Sequence, residues 1–272
     1  MRTYSLADVN ATRKRRDSWW TVYFVDPVAC RVALLVANRT RITPNALTVF
    51  SLVLGMVSAV CFATDKLAAG AVMFYLSFMI DCVDGKIARL KGTGTPFGLW
   101  LDYVGDRVRV VCCAAGLAFG QYALTGNVEF VVLGAAVAVL DLFRYVNAPQ
   151  MKRVREVIRE GMPPKAEIVA VPDMPARPEA QAPVPGRRPS FMRRLNRFLA
   201  RRRVRSHLIS GIEFHAAVFV VAPLIGAAAL IPISIVASVL LLANEIFLVY
   251  RMWLFARRFS APTQESREHV LV

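Results

Sequence analysis

Hydrophobic positions along this chain fall into long runs. Apolar residues dominate from about Ala46 to Ala63, Leu67 to Leu90, Phe97 to Phe119, Val128 to Val146, Leu208 to Ile231 and Ile233 to Phe255. Each run is long enough for a helix to cross a hydrocarbon core roughly 30 Å thick. Polar punctuation separates them: Asp65 and Lys66, a loop from Lys91 to Pro96 holding Gly92 and Gly94, Thr125-Gly126-Asn127, and Pro232. Thr43-Pro44-Asn45 reads as a helix start, with Thr43 as the N-cap and Pro44 in the first turn. Between Ser18 and Asn38 the apolar pattern is interrupted by Asp26, Pro27 and Arg31, which suits an amphipathic helix lying in the interface. The pattern predicts an all-α integral membrane protein, with six transmembrane helices preceded by an interfacial amphipathic helix.

That pattern divides the chain into a flexible basic tail (1–17), the interfacial helix (18–42) and spans one to four (43–150). A basic, Pro-rich loop (151–207), spans five and six (208–258) and a polar tail (259–272) follow. Residues 150–207 hold fifteen Lys or Arg against five acids and eight of the fifteen prolines, so 162–189 is expected to be disordered. Residues 190–206 suit a basic helix on a lipid surface, with Phe191, Leu195, Phe198 and Leu199 on one side.

Composition and charge sharpen the picture. Hydrophobic residues make up 56% of 272, more than a soluble domain carries. A formal charge of +15 would by itself suit nucleic acid. Its location in the segments flanking the runs points instead to anionic membrane lipids, and no nucleic-acid partner is expected. The connections after spans one, three and five contain a single basic residue, Lys66, which places both termini and the end of span two in the cytoplasm. The N-terminus shows no apolar core with a small-residue cleavage site, so no removable signal peptide is expected. The five cysteines lack C-x-x-C spacing and read as free thiols packed as small hydrophobes.

The chemistry concentrates where span two ends and span three begins. Asp81 and Asp84 are three residues apart and Asp102 and Asp106 four apart, so each pair shares a helix face. Carboxylates converging between apolar helices repel one another unless a cation sits among them, and a divalent metal held by oxygen ligands answers that need. Gly85 lies inside a helix at a cost of about 1 kcal/mol relative to Ala. Its benefit is close approach of a flat ligand. Ala88 lies one turn after Asp84 and Gly98 one turn before Asp102, which keeps the same face low, and Arg89 suits neutralising a phosphate.

Asp81, Asp84, Gly85, Ala88, Arg89, Gly98, Asp102 and Asp106 fill all the fixed places of D-x-x-D-G-x-x-A-R, eight residues, G-x-x-x-D-x-x-x-D. This resembles the signature of the CDP-alcohol phosphotransferases, also called CDP-alcohol phosphatidyltransferases. The resemblance implies a Mg²⁺ or Mn²⁺ site at Asp81, Asp84, Asp102 and Asp106, with Gly85, Ala88, Arg89 and Gly98 around the CDP group. It implies that Asp106 takes the proton of a hydroxyl acceptor while a substituted phosphate moves from a CDP-linked lipid or alcohol, releasing CMP. Base and metal ligand are compatible roles for Asp106. A homodimer in a bacterial cell membrane, with the site facing the cytoplasm, is the implied setting.

Other readings stay open at this level. The acids could pair with Lys86, Arg89, Arg107 and Arg109, but acids within a membrane span are expensive and by default functional. A cation-coupled transporter would place its acids near the midplane of broken, repeated helices, and no matching half is visible here. The basic loop could instead serve a partner or nucleic acid. Asp141 and Arg144 read as an intrahelical pair. Glu213, His215, Asn244 and Glu245 suit either an acceptor pocket or interhelical hydrogen bonds.

Overall fold

The computed structural model describes residues 3–160, 198–205 and 209–260. Every regular element among them is a helix. Besides a helical turn at 198–201, in chain order these are α1 (Leu6–Ala11), α2 (Thr21–Arg39), α3 (Pro44–Ala63), α4 (Leu67–Lys91), α5 (Pro96–Thr125), α6 (Glu129–Glu160), α7 (Gly211–Ile225) and α8 (Ala227–Ser260). The starts follow local chemistry. Thr43 caps α3 by accepting from the Ala46 amide at 3.3 Å, and Thr95 caps α5 by accepting from Gly98 at 3.0 Å. Each is followed by a proline in the first turn, where no amide partner is lost.

By length and apolar content, α2, α3, α4, α5 and α8 are able to cross a membrane. This differs in detail from the sequence pattern. The stretch read as interfacial, α2, is among the five, whereas the stretches read as spans four and five are not. α6 carries Asp141 and Arg144 within its apolar half, and α7, from Gly211 to Ile225, spans only about 22 Å at 1.5 Å per residue.

Three boundaries also move. The break expected at Pro232 lies at Gly226, whose backbone (φ 125°, ψ 175°) suits only a glycine, and α8 runs on through Pro232. α6 continues past the expected end of span four, through Pro149 to Glu160. The stretch expected as a loose basic tail contains α1, closed by a capping box between Ser5 and Asp8, with Val9 fully buried. The expected disorder at 162–189 and most of the expected basic helix at 190–206 lie outside the described residues, as does the tail after 260.

Apolar helices in lipid gain little from apolar contact alone, so small residues and interhelical hydrogen bonds must bring them together. α3 and α5 touch backbone to backbone. A side chain at Gly116 or Gly120 would run into the carbonyls of Ala59 and Phe62. Ser58 of α3 donates to the Gly70 carbonyl at 2.8 Å, and Ser77 of α4 donates to the Ser51 carbonyl at 2.6 Å. Phe62, Phe74, Phe214 and Phe219 fill the core between this trio and α7. A second cluster packs Val9, Val25, Ala29 and Cys30 on Val83 and Ile87 of α4.

Gly120→Val should lower stability by about 1–3 kcal/mol, the usual range for overpacking. Chemical unfolding in detergent reads this directly, and an unchanged midpoint would contradict the backbone contact.

Candidate active site

The short turn between α4 and α5 lays the last turns of one helix beside the first turns of the next. Asp81 and Asp84 on α4 therefore meet Asp102 on α5. One carboxylate oxygen from each of the three lies within 4.8 Å of the others. α3 closes the third side, where the Thr48 hydroxyl donates to the buried Asp84 carboxylate. Among the described residues neither Asp84 nor Asp102 has an ion pair, and Asp81 has only Arg109 at 3.7 Å. The oxygens thus carry more negative charge than their neighbours cancel. An all-oxygen donor set of this kind fits a hard divalent cation.

Asp106 stands outside that group. Its carboxylate is ion-paired with Arg109 and lies 3.8 Å from Nη2 of Arg107. Arg109 is buried with its stem against Gly55, and it bridges Asp106, Asp81 and the Ser77 hydroxyl, 3.2 Å from Nη1. Arg107 points the other way, to Asp141 on α6, with its guanidinium 3.8 Å from the Tyr145 ring centre. Two residues along a helix turn the side chain by about 200°, which separates the two arginines.

Asp141 is fully buried and gathers three cations or donors. Arg107 and His215 Nε2 (2.8 Å) are close, and the intrahelical partner Arg144 is farther, at 3.8 Å. Arg144 also reaches Glu245 of α8 at 3.8 Å, so the network ties α5, α6, α7 and α8 together. The local pairing expected of Asp141 and Arg144 exists, but the tertiary contacts outrank it. Glu213 completes the capping box at the start of α7, accepting from the amide of the N-cap Ser210 at 2.9 Å, and it also accepts from the Trp19 amide at 3.0 Å. Lys86 does not pair with the motif acids. It reaches Asp26 on α2 at 2.9 Å.

Two hollows meet at the carboxylates. The larger, about 280 Å³, is bordered by all four motif aspartates, Arg89 and His215. The smaller, about 80 Å³, is bordered by Gly85, Ala88 and Gly98 together with Asn45, Thr48 and Thr95. Asp84 and Asp102 border both. The small residues singled out by sequence therefore come together. Arg89 adjoins this group: its guanidinium lies beside Gly85, which borders both hollows, and its Nε donates to the Thr12 carbonyl at 2.9 Å. Asn45 and Thr48 escaped sequence reading, although their spacing of three on the first turns of α3 placed them on one face.

Arg109→Ala should leave Asp81 and Asp106 without the cation that bridges them and cost about 3–5 kcal/mol, as for other broken buried pairs. A thermal unfolding midpoint equal to that of the wild type would contradict this pairing.

Residues 41–172 match the family described as CDP-alcohol phosphatidyltransferase. Phosphatidylinositol phosphate synthase of Mycobacteroides abscessus is 36% identical over 95 residues, 35% of this chain and 43% of the relative. The CDP-diacylglycerol–serine O-phosphatidyltransferase of Helicobacter pylori is 28% identical over 105 residues, 36% of this chain and 44% of the relative. These matches span less than half of each relative's length. A crystal structure of Mycobacterium tuberculosis phosphatidylinositol phosphate synthase with CDP-DAG bound aligns over 84% of this chain and 94% of that one, at 19% identity and a TM-score of 0.45.

Proposed function

With residues 41–172 matching the family described as CDP-alcohol phosphatidyltransferase, we propose that this chain transfers a phosphatidyl group from a CDP-linked lipid such as CDP-diacylglycerol. The acceptor is the hydroxyl of a polyol or polyol phosphate, and CMP leaves. The observation that carries this reading is the convergence of Asp81, Asp84 and Asp102 beside a recess lined by Gly85, Ala88 and Gly98. Relatives named as transferring phosphatidyl groups from CDP-diacylglycerol support that donor over a CDP-linked small alcohol.

Asp81, Asp84 and Asp102 would hold Mg²⁺ or Mn²⁺, with Asp106 as a further ligand candidate beside its role as base. When bound, such an ion neutralises diphosphate charge and eases departure of CMP. The low wall of Gly85, Ala88 and Gly98 admits the flat cytosine ring, while Asn45, Thr48 and Thr95 offer polar atoms around it. Arg89 faces the larger hollow, at the phosphate side of the donor. Asp106 accepts the acceptor's hydroxyl proton as the oxygen attacks the phosphorus bearing the lipid, and the bond from that phosphorus to the CMP oxygen breaks. Arg109 fixes the orientation of Asp106, and the separation of Asp106 from the other three acids supports a distinct role for it.

The same reading keeps six membrane crossings with α2 lying along the cytoplasmic interface. In its favour, the apolar contacts of α2 on α4 fall between Tyr75 and Leu90, beside the aspartates, and Lys86 of that stretch pairs with Asp26.

Asp106→Asn should retain metal and donor binding while lowering kcat by about 10²–10⁴-fold, the usual worth of a general base. Wild-type turnover of CDP-diacylglycerol to CMP in this variant would remove Asp106 from that role. Asp84→Ala should instead shift the Mg²⁺ dependence of CMP release to higher concentration, and an unshifted titration would count against its place in the metal site.

A further inference from the structure

Seven cationic side chains border the larger hollow, and they fall into two sets. Lys86, Arg107, Arg109 and Arg144 are each matched to a carboxylate: Asp26, Asp141, Asp106 and Glu245. Arg13, Lys14 and Arg89 have no ion pair among the described residues. The unmatched set lies on one side, where the segment after α1 crosses the end of α4. Arg13 is half-buried and Lys14 exposed.

This segment is fixed at several points. Arg89 Nε donates to the Thr12 carbonyl at 2.9 Å. Arg203, from the stretch leading into α7, donates to the Lys14 carbonyl from Nε (3.2 Å) and Nη2 (2.8 Å). Its remaining nitrogen, Nη1, lies 3.3 Å from buried Asp26. Asp17 exchanges main-chain hydrogen bonds with this stretch, from its amide to the Arg203 carbonyl (2.8 Å) and from the Arg205 amide to its own carbonyl (2.9 Å). A guanidinium spent on a main-chain carbonyl and an acid has little left for a ligand, so Arg203 braces; Arg13 commits only its Nε, to the Asn10 carbonyl at 3.4 Å, and Arg13 and Lys14 keep their charge for the hollow.

We propose that Arg13 and Lys14 form an anion subsite for the phosphoryl oxygens of a phosphorylated substrate, and that Arg203 is the positioning residue that holds it against the aspartates. Both cations lie outside residues 41–172, so this side of the hollow is built by chain beyond the matched domain. Guanidinium and ammonium groups facing phosphate oxygens make charge-assisted hydrogen bonds. The inference rests on the proposed reaction only for the identity of the ligand, either the donor's diphosphate or a phosphate on the acceptor.

The test uses the full chain in phosphatidylcholine nanodiscs, which carry no net lipid charge, and inorganic pyrophosphate with Mg²⁺ as the calorimetric probe. Arg13→Gln/Lys14→Gln should weaken pyrophosphate binding by about tenfold, as two partly exposed charge contacts would. Arg13→Lys/Lys14→Arg and the neighbouring Arg15→Gln/Arg16→Gln should stay within about twofold. Unchanged affinity in the first variant, or an equal loss in the neighbouring control, would overturn the subsite. In CMP-release assays the same variant should raise KM for one substrate and leave kcat nearly unchanged. A rise for CDP-diacylglycerol assigns the donor, and a rise for a phosphorylated polyol assigns the acceptor. If neither KM moves in an active enzyme, the proposal fails. If the wild-type chain releases no CMP with any acceptor, the proposed reaction fails and the pyrophosphate titration alone decides the subsite. Arg203→Ala should reproduce the KM rise without a matching loss of kcat, whereas a fall in kcat alone would contradict its bracing role.

Discussion

Three carboxylates held together between apolar helices are the constraint on which the rest of this structure depends. One carboxylate oxygen from each of Asp81, Asp84 and Asp102 lies within 4.8 Å of the others, yet among the described residues the one cation within ion-pair distance of them is Arg109, at 3.7 Å from Asp81. Every nearby device serves to keep them there. Thr48 fixes Asp84, Arg109 spans Asp81 and Asp106, and the glycines of α5 let that helix lie directly on α3. A cluster that is costly without a cation and favourable with one suits a metal-dependent site.

Charge elsewhere in the bundle is handled differently. Asp141 is as deeply buried as any motif acid, but it is surrounded by Arg107, His215 and Arg144, and Glu245 completes the set. That cluster is close to balanced and ties four helices together. The contrast separates structural acids from candidate ligands without reference to the motif. The same contrast separates the cations of the hollow: four are matched to carboxylates, while Arg13 and Lys14 remain open to an anion.

Much of this was legible in the sequence. Apolar runs marked α3, α4, α5 and α8, because long stretches of high hydrophobicity have few other uses, and Thr43 with Pro44 marked a helix start that the fold keeps. The spacing of the aspartates marked their faces, since helical periodicity makes such neighbours predictable. What escaped was tertiary. No local signal announces that Asp141 prefers Arg107 and His215 to Arg144, or that Lys86 turns to Asp26. Nor does a basic run such as Arg13 to Arg16 show that it is tied down, because the ties come from Arg89 and Arg203, far away in sequence. Pro232 drew the helix break to itself, although the freedom of Gly226 to adopt φ 125° decided it.

The most direct test of the central claim is metal binding itself, read as free Mn²⁺ by electron paramagnetic resonance during titration of the purified chain. The account predicts saturable binding in the wild type that persists in Asp106→Asn and disappears when Asp81, Asp84 and Asp102 are all changed to Asn. Equal Mn²⁺ affinity in that triple variant and the wild type would contradict it.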